Sequence, residues 1–173
     1  MRRPERNAVT ARGSSLIDPT DALREALRGH VRLEWGQWLM KFLWHHFATL
    51  TFANSPSIEG AVRQFGRWVR HLEQRTQQAI HWFYALERGA AGLLHFHVLT
   101  RGTDGIDSRA IGQAWPCGRS DVSAYDPKRG ATYYVTKFVG ADHVEYDLAF
   151  PVPRAATTLR AQPSGLRLRR SET

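Results

Sequence analysis

Apolar side chains recur at steps of four, three, four and three residues at Ile58, Val62, Phe65, Val69 and Leu72, with Arg63, Arg67, Arg70 and Glu73 outside the stripe. That period places one apolar face along a helix, and Ser55 as cap with Pro56 at the first helical position predicts where it starts. A different period follows. Ile80 to Arg88 and Leu93 to Arg101 are rich in aromatic and β-branched residues, which predicts two strands. The short connection Ala90-Ala91-Gly92 predicts an antiparallel hairpin in which the glycine takes the left-handed position. With this loop, Glu87 lies opposite His95 and Ala85 opposite His97. Side chains alternate between faces of a strand, so Glu87, His95 and His97 share one face. The other face carries Trp82, Tyr84, Leu86, Leu94, Phe96 and Val98 and is predicted to pack on helices. A two-residue loop would shift the register and flip one of the two sets.

The remaining pattern supplies the frame. Asp18-Pro19-Thr20-Asp21 is a helix start, with Asp18 as N-cap, and predicts a helix to about Trp44 with Gly29 and Gly36 as candidate breaks. His46 to Ala53 alternates as a strand and ends at the turn Asn54-Ser55-Pro56. Asp107 caps a short helix to Trp115, Arg119 to Tyr125 forms another strand, Gly130 to Val139 a helix ending at Gly140, and His143 to Phe150 a last strand. Within residues 46–125 the order is strand, helix, strand, strand, helix, strand. It predicts an α+β fold, a ferredoxin-like antiparallel sheet with helices on one face and the histidines on the exposed face. The domain is predicted to span residues 18–150, between a disordered basic arm over 1–17 and a disordered basic tail over 151–173.

Composition narrows the partner. At 173 residues and 42% hydrophobic content the chain suits one domain, and its formal net charge is +8, with 21 Arg against 3 Lys. Such a balance favours a polyanion, because arginines that neutralise phosphates release counterions, although arginine bias can also follow genomic base composition. Cys117 is the sole cysteine, which excludes an intrachain disulfide and a cysteine-based zinc site and fits a reducing cytoplasm. The most apolar stretch, Trp35 to Trp44, contains Gln37 and Lys41 and falls short of the roughly 20 residues a membrane span needs. No apolar core follows the arginine-rich start, so no secretory signal is predicted.

Two neutral imidazoles and a carboxylate make a three-ligand set that leaves positions on a metal open to substrate or water. Glu87 can alternatively be a surface carboxylate paired with Arg88 or Arg101. On the last helix, Tyr134, Lys137 and Phe138 share a face, whereas Tyr133 points about 100° away, so that one of the two tyrosines is expected in the core. A phenol ordinarily titrates near 10 and needs a nearby cation or metal to act as a nucleophile at neutral pH. Lys137 and a metal-bound phosphate would provide that field.

The chain resembles the HUH endonucleases, specifically the rolling-circle replication initiators, or Rep proteins, of small phages and plasmids. The resemblance spans roughly residues 45–150 and rests on Phe47-Ala-Thr-Leu-Thr-Phe52, Leu94-His-Phe-His-Val98 and Tyr134-Val-Thr-Lys137-Phe138-Val139. It implies that His95 and His97 hold Mg²⁺ or Mn²⁺ with Glu87 as third ligand. Tyr134 would attack single-stranded origin DNA, leaving a 5′-phosphotyrosine and a free 3′-OH, with Lys137 orienting or neutralising the phosphate. Some relatives carry a second tyrosine where this chain has Phe138, which implies a single-tyrosine enzyme. No Walker-type loop is present, so a host helicase and polymerase are implied partners. Three other readings compete: a single-tyrosine transposase, whose tyrosine helix typically carries a glutamine at the position of Lys137; a non-catalytic nucleic-acid-binding module that stacks bases on exposed aromatics; and a mononuclear iron oxygenase, which gives Tyr134 and Lys137 no role.

Overall fold

The computed structural model describes residues 18–137, 139 and 144–150. The arm over 1–17, the tail over 151–173, and the expectations placed on Phe138, Gly140 and His143 lie outside the described residues. The elements are α1 (Pro19–Leu39), β1 (His46–Phe52), α2 (Ile58–Thr76), β2 (His81–Arg88), β3 (Leu94–Arg101), α3 (Ser108–Gln113), β4 (Gly118–Ala124), α4 (Ala131–Thr136) and β5 (Glu145–Ala149). The strands form an antiparallel sheet in the order β4-β1-β3-β2-β5. Helix α2 links β1 to β2 across β3, and α3 links β3 to β4, which is the ferredoxin-like α+β arrangement predicted.

The hairpin register is as expected: Glu87 pairs with His95 and Ala85 with His97. Gly89 N donates to Leu93 O, closing a three-residue loop in which Gly92 has φ 76°, a value that glycine adopts without a Cβ penalty. The apolar faces of β1, β2 and β3 then meet α2 and α3. Ala48, Leu50, Phe52, Leu86, Phe96 and Val98 are buried there against Phe65, Trp68, Leu72 and Ile111. Fully burying a side chain of this size stabilises the fold by roughly 1.5–3 kcal/mol. Trp68 lies outside the predicted stripe of α2, yet it is buried, and its indole N–H donates to Ile111 O at 3.2 Å.

Several boundaries differ from the prediction. Helix α1 runs unbroken through Gly29 and Gly36 and ends at Leu39, five residues early. There the Trp44 indole donates to Leu39 O, and His45 N donates to Thr100 O, so the chain is already turning into the sheet. Helix α2 is capped by Ser57 rather than Ser55, because the Ser57 hydroxyl accepts from Gly60 N at 3.1 Å. Helix α4 ends at Thr136, shorter than expected, with Lys137 as its C-cap.

The largest difference concerns the histidine face, which is not open. α1 and α4 cover part of it, and Leu39, Trp44, Phe83, Leu99, Val135 and Val139 form a second apolar cluster beneath them. Helices therefore lie on both sides of the sheet. Gly36 allows the contact between α1 and α4, since a Cβ at that position would overlap the Tyr133 ring.

Candidate metal centre and nucleophile

Glu87, near the end of β2, and His95 and His97, on β3, meet on the partly covered face. His95 Nε2 and His97 Nε2 each donate to Glu87 Oε1 at 2.9 Å. The three potential ligand atoms lie within 4.8 Å of one another. Glu87 and His97 are 8% and 3% exposed, so this is not the exposed hairpin carboxylate of the alternative reading, and neither Arg88 nor Arg101 pairs with it. The ring of His95 remains partly open to solvent.

Thr49 completes the group. Its partner across the sheet is His97, and its hydroxyl lies 3.2 Å from His97 Nδ1. A hydroxyl can donate or accept, so it matches either neutral tautomer of the ring. With Nε2–H donating to Glu87, the Thr49 hydroxyl donates to Nδ1. With Nδ1–H donating to Thr49, the Nε2 lone pair is free for a cation. Burial, the largest influence, lowers the His97 pKa below its ordinary 6.5 despite the opposing hydrogen bond to Glu87, and this keeps the ring neutral. Converging Nε2 atoms, a shared carboxylate oxygen and a neutral imidazole held from behind suit a divalent cation such as Mg²⁺ or Mn²⁺. This buried Glu and two His could hold a metal ion.

Tyr134 lies against this group. Its ring is perpendicular to that of His97, with centroids 4.8 Å apart, and it also meets Phe47 edge-on at 6.0 Å. Lys137 Nζ sits 3.9 Å from the Tyr134 ring centroid, as the shared helical face predicts. The expectation that one tyrosine belongs to the core does not hold: Tyr133 and Tyr134 are 40% and 42% exposed, since α4 lies at the margin of the sheet. Thr49 was missed in the sequence as a site residue. Its signal was the alternation of Phe47, Thr49 and Thr51 along β1, but assigning Thr49 to His97 needs the pairing of strands 48 residues apart.

Fold and site together define an α+β protein with a ferredoxin-like sheet that carries a candidate metal centre and an adjacent tyrosine. Among the described residues, no helix is long and apolar enough to cross a membrane. The family model of the replication-associated protein ORF2 matches residues 45–143, more than half of the chain and all the groups just described. The chain belongs to this family, whose members are replication initiators of Rep type, and membership implies DNA binding. No curated protein and no solved structure matches it.

Proposed function

We propose that the protein is a metal-dependent HUH endonuclease with a single tyrosine nucleophile, which starts rolling-circle replication by nicking single-stranded origin DNA. The observation that carries this reading is the ring-to-ring contact between Tyr134 and His97, whose Nε2 shares Glu87 Oε1 with His95. The Tyr134 oxygen attacks phosphorus, forming a phosphotyrosine bond to the 5′ side of the product while the P–O3′ bond breaks. The tyrosine proton passes to solvent, and the departing oxygen takes one up to give the free 3′-OH that primes synthesis.

A divalent ion held by Glu87, His95 and His97 would draw charge from a non-bridging phosphate oxygen as it develops. Thr49 fixes the His97 ring for that role. Lys137, already over the Tyr134 ring, offers its ammonium to the same phosphate. The contact between Tyr134 and His97 favours strand transfer over a silent binding module or an oxygenase, neither of which uses a phenol beside the ligand set.

The test is to incubate the full chain with Mn²⁺ and a single-stranded oligonucleotide pool, then look for protein that carries DNA through denaturing electrophoresis. We expect an adduct with the wild type and none with Tyr134→Phe, or when His95 and His97 are both changed to Ala. An adduct from Tyr134→Phe would overturn the nucleophile assignment, and undiminished adduct from the double histidine variant would overturn the metal centre.

A further inference from the structure

A cleft of about 310 Å³ opens beside Tyr134, and the sheet register accounts for its walls. Across β4 and β1, Asp121 pairs with Thr49 and Ser123 with Phe47, so Asp121 and Ser123 project on the same face as the metal group. Phe47, Asp121, Ser123, Arg129 and Tyr134 line the cleft. Its volume is at the lower end of small-ligand sites, roughly 300–1,000 Å³.

Its polar groups are uncommitted. Asp126, also in the lining, already accepts from Lys128 N at 2.9 Å and so caps its own turn. Among the described residues, the side chains of Asp121, Ser123 and Arg129 have no hydrogen-bond or ion-pair partner. A carboxylate beside a phosphate-handling tyrosine opposes polyanion binding unless it meets a donor on the substrate. Nucleobase edges supply such donors. Cytosine, adenine and guanine carry exocyclic amino groups, whereas the edge of thymine offers O4, an acceptor, at the corresponding position.

We propose that this cleft seats the base adjoining the phosphate that Tyr134 attacks, and that Asp121 selects bases with an exocyclic amino group over thymine. The proposal rests on the strand-transfer reading above. Asp121 accepts from the amino group, Arg129 pairs with the phosphate of the same nucleotide, and the rings of Phe47 and Tyr134 bound the space that the base enters. Asp121 is a cross-strand neighbour of Thr49, and Thr49 holds His97, so base recognition and the metal group share one row of the sheet.

The experiment uses the full chain with Mn²⁺ and a randomised single-stranded oligonucleotide pool, and sequences both the protein-linked and the released fragments. The wild type should deplete thymine roughly tenfold at one position adjoining the cut. Asp121→Ala should lose that depletion while other positions keep their preferences. Asp121→Asn, whose amide can donate to O4, should admit thymine. Asp121 is exposed on an edge strand, so neither variant disturbs the core. An adduct whose base profile is unchanged in both variants, or a wild type without thymine depletion, would overturn the subsite alone. A wild type that forms no adduct with any member of the pool would overturn the strand-transfer reading and the subsite with it.

Discussion

The two faces of the sheet do different work with alternate residues of the same strands. On β3, Phe96 and Val98 are buried among Phe65, Trp68 and Leu72, whereas His95 and His97 turn to the opposite side and meet Glu87. One face is apolar throughout. The other is divided: Phe83, Leu99 and Val135 pack under α1 and α4, while toward the hairpin loop the same face carries only polar ligands. Apolar packing on one side lets the other hold a carboxylate and two imidazoles in place, a geometry that contributes little to stability by itself. Neighbouring residues should therefore respond to substitution in opposite ways.

The largest effect should come from the apolar face. Phe96→Ala removes a fully buried ring and should lower stability by about 3–5 kcal/mol in chemical denaturation, with or without metal. A loss below about 1 kcal/mol would mean that this face is not the main source of stability. On the polar face the response should depend on metal. Mn²⁺ at about a hundred times its dissociation constant should stabilise the wild type by about 2.7 kcal/mol, and His95→Ala should abolish that increment. An equal increment in the variant would remove His95 from the ligand set.

Thr49→Val, which keeps the shape but deletes the hydroxyl behind His97, should weaken Mn²⁺ binding roughly 10- to 100-fold, or about 1.4–2.7 kcal/mol, by titration calorimetry. Unchanged affinity would show that the ring is oriented by other contacts. The smallest effect concerns pH. Burial, first among the causes, lowers the pKa of both His97 and His46 from 6.5, and the His46 ring is buried beside the Thr103 hydroxyl at 2.9 Å. The folded chain then binds these protons more weakly than the unfolded chain. Metal-free stability should be level above about pH 6.5 and fall as pH drops below it toward each lowered value. His46→Gln should reduce that slope, and a slope identical to that of the wild type would exclude His46 as a contributor.

What could be read in the sequence was whatever depends on neighbours along the chain. Gly92 fixes the hairpin loop, the loop fixes the register, and the register brings Glu87 beside His95 and His97. Asp18 and Asp107 were legible as caps because each accepts from backbone N–H groups two or three residues on. Features that need distant pairing were not. The bond from Thr49 to His97, the cover of α1 and α4 over the histidine face, and the placing of Asp121 near Tyr134 all depend on which strands adjoin. The early end of α1 depends on Trp44 reaching back to Leu39, which helical periodicity does not encode.

The most direct test of the central claim, that Tyr134 beside the Glu87–His95–His97 group is the nucleophile, is mass spectrometry of the adduct. After reaction with Mn²⁺ and single-stranded DNA, followed by digestion with nuclease and protease, the account predicts one peptide carrying a 5′-phosphodeoxynucleotide on Tyr134. A modification on Tyr133 or any other residue, or DNA nicked without a modified peptide, would contradict it.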